Sequence, residues 1–380
     1  MGVILNGKEL SEKILSEVAL EVESLKKLGI VPKLCVILVG DNPASLSYVN
    51  MKHRACERTG IKSQVLTFGD DISQSALLGE IERLNNDESV SGILVQLPLP
   101  KHISTDAVLE AVCPKKDVDG FHPYNVGRLV AQSMSDSSKN SSLGTPCGDF
   151  GNLGRFADSP VQSHAPNSQK TPQLPPQILE LDSNKSDSRG SILEIKSGFC
   201  ETSNADKTKV YQGSELKQSP ILAQKTNAHC ILAPATPLGI MELLNAYNIE
   251  VSGKNVAIIG ASNIVGKPLS ALMLNAGATI SLCHILTKDI SVFTKSADIV
   301  CVGVGKVNLI TADMIKEGAI VVDIGINKVN GKIVGDVDFE NVAKKASFIT
   351  PVPGGVGPMT IAMLLKNTLL CAKFLAKGQQ

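Results

Sequence analysis

The chain reads as an α/β protein with parallel strands arranged in two blocks. Three observations carry that reading. Short apolar runs alternate with helical stretches over about the first 120 residues, and the alternation resumes near residue 231. Runs of this kind, bounded by turns and separated by helices, are how strands buried on both faces of a parallel sheet look. The third observation is "NVAIIGASNIVGKP" (255–268), where a strand runs through a glycine turn into a helix start.

The elements follow in order. The pattern predicts an amphipathic helix over 8–29 and then the apolar strand "KLCVILVG" at 33–40. "SYVNMKHRAC" (47–56) belongs to the next helix, where Tyr48 and Lys52, four residues apart, share one face. A strand near 62–68, a helix near 73–86 and the strand "SGILVQLPL" (91–99) complete the first block. The second block holds the strand "NVAIIGAS", the helix "GKPLSALMLNAGA" and the strands "TISLCH", "ADIVCVGVG" and "GAIVVDIGIN". The final "GPMTIAMLLKNTLLCAKFLAKG" is a helix expected to pack back on the first block. This divides the chain into one domain of 1–130 plus 350–380 and a second of 230–349.

Between the blocks, over 131–229, the pattern collapses. "SMSDSSKNSSLGTPCGDFGNLGRFADSP" and its continuation are rich in Ser, Asn, Gly and Pro, with only "PPQILELD" and "GSILEIKSG" as apolar islands. Such a composition buries too little apolar surface to offset its ordering entropy, so a disordered insertion is expected.

The bulk composition narrows the function classes. Thirty-seven basic and 37 acidic residues cancel, aromatics make up 3%, and tryptophan is absent. A nucleic-acid groove needs a cationic footprint and usually stacking platforms, so a small-molecule partner is expected instead. Nine dispersed cysteines without a C-x-x-C pair read as reduced thiols, not as a disulfide framework. The histidines form no H-E-x-x-H or paired-ligand pattern, and neither a metal site nor a nucleophile elbow is expected. With no run of 18 apolar residues and no signal peptide evident, the expected protein is soluble and cytoplasmic, without a membrane partner.

Four motifs have chemical content. In "GASNIVGKP", Gly260 permits a tight turn and Gly266 a close backbone approach, and the helix start offers N–H groups to a dinucleotide phosphate. Its G-x-S-x-x-x-G spacing departs from G-x-G-x-x-G, but the strands that follow strengthen a Rossmann-type reading. In "KKDVDGFHPYNVGRL" (115–129), Asp117 and Asp119 precede a glycine, the usual place for turn formers. Gln96 ends an apolar strand, where the crevices of parallel sheets lie. "TPVPGGVGPMT" (350–360) is dense enough in Pro and Gly to suggest ligand contact.

Together, "VGDNPASLSYVNMK", "VQLPLP", "KDVDGFHPYNVGRL", "IGASNIVGKP" and "TPVPGGVGPMT" resemble, in the same order, the bifunctional methylenetetrahydrofolate dehydrogenase/methenyltetrahydrofolate cyclohydrolase family. The resemblance covers about 1–130 and 231–375. It implies two α/β domains around a cleft, with a tetrahydrofolate derivative on the first and NADP on the second, NAD not being excluded. It implies oxidation of 5,10-methylenetetrahydrofolate to the methenyl cation and hydrolysis of that cation to 10-formyltetrahydrofolate, in a homodimer. By resemblance, Lys52 is the catalytic lysine, Tyr48 its partner in placing the folate, Gln96 the amide beside it and Asp119 the holder of the pterin. Gly260, Ala261 and Ser262 match the phosphate turn, Ile326 a residue near the cofactor, and Gly354 and Gly355 the loop closing the folate site.

The hydrolytic step needs a group that exchanges protons near pH 7, and an ordinary lysine, at about 10.4, is too basic. Burial beside a cationic substrate would lower it, and Gln96 bonds the amine without adding a negative charge. The chain departs from many relatives in three places. Ala261 and Ile285 replace polar or cationic residues near the adenosine ribose, leaving Lys267 or Lys288 to meet a 2′-phosphate. Ala235 replaces a cysteine, and the insertion replaces a short connection. The rival readings are an enzyme with only one of the two activities, and a noncatalytic binding protein that recruits a partner through the insertion.

Overall fold

A computed structural model describes residues 2–132 and 232–377. Apart from Ala131 and Gln132, the insertion expected over 131–229 lies outside the described residues.

The chain starts with β1 (Val3–Ile4) and then α1 (Gly7–Lys27), whose first turn is capped by Asn6 accepting from the Glu9 N–H. Leu10, Ile14, Val18, Val22 and Leu25 recur three or four residues apart and form its buried stripe. After β2 (Lys33–Val39) comes α2 (Pro43–Thr59), the helix of Tyr48 and Lys52. Asn42 caps α2 by accepting from the Ala44 and Ser45 N–H groups, Pro43 occupies its first turn, and Gly60, at φ 75°, ends it. Next are β3 (Lys62–Phe68), α3 (Gln74–Asn86), β4 (Gly92–Val95), α4 (Thr105–Ala111) and α5 (Pro123–Val130). The strand expected over 91–99 is thus only four residues long. Pro98 and Pro100 donate no N–H to a ladder, so pairing stops and the chain turns away beyond Gln96.

Strands β3, β2 and β4 form a parallel sheet in the order β3-β2-β4. Both faces are buried: Leu34, Val36 and Leu38 join the core under α1, while Cys35, Ile37 and Val39 pack with Leu77, Ile81 and Leu84 of α3. This is why β2 reads as a continuous apolar run instead of an alternating one.

The second described stretch begins with α6 (Ala235–Ala246), β5 (Asn255–Ile259), α7 (Gly266–Asn275) and β6 (Thr279–Cys283). It continues through α8 (Ser291–Thr294), β7 (Ile299–Val302) and β8 (Ile320–Asp323), then the hairpin of β9 (Asn327–Val329) and β10 (Lys332–Val334). Finally come α9 (Phe339–Lys345), β11 (Phe348–Ile349) and α10 (Val356–Lys377). The larger sheet has the order β1-β11-β8-β7-β5-β6, with every pairing parallel. The chain leaves β5 for β6 on one side and returns to β7 on the other. The carboxyl ends of β5 and β7 therefore flank a topological switch point, where open α/β sheets bind ligands.

Two placements differ from expectation. Val3–Ile4, at the start of the first block, extends the far edge of the second sheet through β11. In addition, Val356–Ala376 of α10 is long and apolar enough, by length and composition, to cross a membrane, contrary to the reading that no such run exists. Its apolar side is occupied inside the protein instead: Met359, Met363, Leu364 and Leu365 are fully buried in the core that also holds α1 and α6.

Candidate active site

Lys52 is 8% exposed on α2, and its Nζ donates to Gln96 Oε1 at 3.1 Å. Gln96 is held in turn at the carboxyl end of β4, where its backbone N–H donates to Ile37 O at 2.9 Å and its Nε2 to Leu97 O at 2.8 Å. The bond from Nε2 to the Leu97 carbonyl turns the amide so that its oxygen faces the amine. Burial pulls the Lys52 amine below the ordinary lysine range, and the nearby Asp119 carboxyl opposes that shift. Tyr48, one turn earlier, is half-buried, which pushes its hydroxyl above the usual phenol range.

The two aspartates of the D-V-D-G stretch have separate roles. Asp117 is the turn former: its Oδ1 accepts from the N–H groups of Gly120 and Phe121, and its Oδ2 from His122 N–H and Asn125 Nδ2. Gly120, at φ 71°, must be glycine, because a Cβ there would lie 2.5 Å from the Ala233 carbonyl carbon. Asp119 has no hydrogen-bond partner among the described residues. Burial pushes its carboxyl up to about 6, with Lys52 pulling it down and Asp117 pushing it further up. Asp119 and Lys52 thus face each other as a carboxyl and an amine, each displaced toward its neutral form by the same desolvation.

Three further features are weakly marked in the sequence or not marked at all. Cys56, one turn beyond Lys52, is fully buried, with its thiol pushed up to about 12, so it remains a neutral filler beneath the amine. The Lys116 ammonium is buried against α3 and donates to Leu84 O, Asn85 O and Asp87 O at 3.1, 2.8 and 2.7 Å. It caps the carboxyl end of that helix and anchors the chain entering Asp117. Deep in the second lobe, the buried carboxylates of Asp323 and Asp336 organise the loops that leave β7 and β8. A lone aspartate inside an apolar strand such as "IVVD" is the only sequence sign of this arrangement.

The phosphate turn follows β5. Gly260 has φ 117°, and a Cβ on it would stand 2.6 Å from Gly303 O. A Cβ on Gly266 would stand 1.8 Å from Gly260 O, so the turn closes only with glycine at both positions. Ser262 Oγ accepts from the Val265 and Gly266 N–H groups at 3.1 and 3.4 Å, so its hydroxyl shapes the start of α7. Ala261 is half-buried in the turn, while Ile326, 49% exposed, lies on the loop after β8. This tight glycine turn at a helix start fits a dinucleotide pyrophosphate. Of the residues near the expected ribose edge, Ile285 is 98% exposed and Lys288 is exposed, and Lys267 donates to Asn263 Oδ1 at 2.7 Å.

Gly354 and Gly355 lie against the amino end of α1. Gly354, at φ 109°, presents its carbonyl to the Lys8 N–H at 2.8 Å, and a Cβ on Gly7 would stand 1.9 Å from Gly355 O. No hydrogen bond joins this loop to Lys52 or Gln96 among the described residues. The structure therefore brings Lys52, Gln96 and Asp119 together, sets Tyr48 on the same helix face, and places the glycine loop and phosphate turn as separate elements. Among the described residues no cluster of His, Cys, Asp and Glu is placed to hold a metal ion.

Fold and site together define a two-lobed α/β protein of the dinucleotide-binding class, with a buried amine in the lobe that does not carry the dinucleotide turn. Comparison with known proteins narrows this. Residues 5–119 match the catalytic domain of tetrahydrofolate dehydrogenase/cyclohydrolase, and 234–376 match the NAD(P)-binding domain of the same family. The chain belongs to the tetrahydrofolate dehydrogenase/cyclohydrolase family. It is 46% identical over 375 residues to a bifunctional protein FolD of Nautilia profundicola, covering 98% of each chain. The crystal structure of the bifunctional dehydrogenase/cyclohydrolase FolD from Campylobacter jejuni is similar at 44% identity and a TM-score of 0.71, covering 98% of this chain and 99% of that one. The FolD structure of Trypanosoma brucei, complexed with NADP and an inhibitor, is 29% identical with a TM-score of 0.70, covering 98% and 97% of the two chains.

Proposed function

We propose that the protein oxidises 5,10-methylenetetrahydrofolate with NADP and hydrolyses the resulting methenyl cation to 10-formyltetrahydrofolate. The observation that carries this reading is the buried Lys52 amine on Gln96, facing Asp119, in a chain that also keeps the glycine-only turn at 260–266. Relatives similar throughout and bifunctional by name, such as those of Nautilia profundicola and Campylobacter jejuni, support it, as does the NADP complex of the Trypanosoma brucei enzyme.

When bound, NADP supplies the acceptor for the hydride that leaves the methylene carbon. The chain's part in that step is positioning. Asp119, with free acceptor capacity, takes donors of the pterin ring, and Tyr48 borders the folate from the Lys52 face. In the second step water adds to the methenyl carbon. Lys52, whose basicity burial lowers, accepts in its neutral form the proton released as the new C–O bond forms. The carbon–N5 bond then breaks with return of a proton to N5, so water and the cation give 10-formyltetrahydrofolate and one net proton. Gln96 keeps the amine aimed without lending it the negative charge that would make it too basic.

The nucleotide is NADP in this reading, with Lys267 in the first turn of α7 and Lys288 after β6 as the cations offered to a 2′-phosphate. We also propose that the protein is cytoplasmic, in keeping with its dispersed cysteines, and a homodimer, as the family resemblance implies. A coupled assay tests the function: purified protein with methylene-folate and NADP should reduce the nucleotide and then clear the methenyl product. A kcat/KM favouring NADP over NAD is expected, and a clear preference for NAD would overturn the choice of cofactor.

A further inference from the structure

Beyond the glycine turn, the dinucleotide crevice needs a second wall, and that wall is built on a buried carboxylate. Asp336 is fully buried just after the β9–β10 hairpin. Its Oδ2 accepts from the Val304 and Gly305 N–H groups at 2.7 and 2.9 Å, and its Oδ1 from Asn327 Nδ2 at 2.8 Å. Val304 and Gly305 belong to the loop leaving β7, and Asn327 directly follows Ile326 on the loop leaving β8. One side chain therefore ties together the two strand-end loops across the switch point from the phosphate turn.

The tie reaches the turn itself, since the missing Cβ of Gly260 leaves room for Gly303 O, which would stand 2.6 Å away. Asp336 is locked from behind: its backbone N–H donates to Asp323 Oδ1 at 3.0 Å, and the Val337 N–H donates to Asp323 Oδ2 at 3.0 Å. Neither Gly325 nor Gly335 could carry a side chain, because their Cβ atoms would fall 2.2 Å from Asp336 Cγ and 1.9 Å from Asp323 Oδ2. A fully buried carboxylate is costly unless donors surround it, and here the donors are two N–H groups of the β7 loop and the side chain of Asn327, which opens β9 directly after the β8 loop.

We propose that Asp336 is a positioning residue of the dehydrogenase, which sets the β7 and β8 loops against the phosphate turn and so fixes the cofactor site. The inference rests on the dinucleotide-binding reading above. The folate-side residues Lys52, Gln96 and Asp119 make no hydrogen bond to this network, so the cyclohydrolase step, which needs no nucleotide, should not depend on it.

The test uses the full chain as wild type, D336A and D336N, with dehydrogenase kinetics in NADP, hydrolysis of methenyl-folate without nucleotide, and thermal unfolding. D336A should raise KM for NADP at least about tenfold while hydrolysis stays within about twofold. D336N retains one oxygen for the Val304 and Gly305 N–H groups and should recover to within about threefold of wild type. If D336A does not accumulate folded, N327A, which removes the bond to Oδ1 together with a longer one to Gly335 O but keeps the carboxylate, should still raise KM for NADP about threefold with hydrolysis unchanged. Either an unaltered KM for NADP or a proportional loss of both activities overturns the proposal. A wild type that reduces neither nucleotide overturns the functional reading beneath it, which distinguishes the two failures.

Discussion

Replacing Gln96 by glutamate tests the proton-handling account more severely than deleting the lysine, because it leaves the amine present and changes only its electrostatics. Lys52 Nζ lies 3.1 Å from Gln96 Oε1, so a carboxylate there would sit in direct contact with the ammonium. At an effective dielectric of about 20, two unit charges so placed attract by roughly 5 kcal/mol. Gln96 is only part-buried, and water screens the pair, so the measured range for adjacent opposite charges, about 1 to 3 pK units, is the better guide. The direction is upward, against the lowering that burial produces. At pH 7 the neutral amine then becomes scarcer, by at most about tenfold for each unit of that rise. Hydrolysis of methenyl-folate should fall by that factor, with its pH–rate limb moved to higher pH, while NADP reduction stays within about threefold. Gln96→Met, which removes the amide without adding charge, should leave the limb near or below its wild-type position. The assay is methenyl-folate absorbance decay from pH 6 to 10, with the uncatalysed decay subtracted. An unmoved limb in Gln96→Glu, or the same loss in both variants, would refute the reasoning.

Two further predictions concern the residues around this pair. The Asp119 carboxyl, at about 6 when folded and about 3.9 when unfolded, binds an extra proton in the folded state between those values. Stability therefore declines as pH rises from about 4 to about 6 and stays lower above that. Asp119→Asn should be more stable than wild type at pH 8 by about 1 to 3 kcal/mol in urea unfolding, should lose that gain near pH 4, and should lose folate turnover; a variant less stable at pH 8 would contradict the sign. Gly266→Ala forces a Cβ to 1.8 Å from Gly260 O, so the turn must open. KM for NADP should then rise more than about tenfold with hydrolysis preserved, and an unchanged KM would remove the turn from the cofactor site.

Legibility in the sequence followed how local each feature is. Tyr48 and Lys52 share a helix face by spacing alone, and the Gly260–Gly266 turn announces itself because both glycines are needed within one strand–turn–helix unit. Asp117 and Asp119 could not be told apart from "KDVDG", since either could form the turn. Only the fold decides that Asp117 takes the three backbone N–H groups and leaves Asp119 free for a ligand. Strand β1 is two residues long and exists only through pairing with β11, more than 340 residues away. Likewise the Asp323 and Asp336 network joins loops that are neighbours only after the sheet forms. The apolar run of α10 is masked in the sequence for a related reason: Lys366, Asn367 and Lys373 interrupt it, yet the helix is continuous, and Asn367 turns inward to donate to Val118 O and Ala233 O.

The central claim is that one chain carries two chemistries, with Lys52 belonging to the second. Lys52→Met, assayed side by side for NADP reduction with methylene-folate and for hydrolysis of methenyl-folate, separates them. Loss of the proton carrier should cut hydrolysis by about a hundredfold or more while NADP reduction remains measurable, so that methenyl-folate accumulates. Hydrolysis within about twofold of wild type would contradict the account.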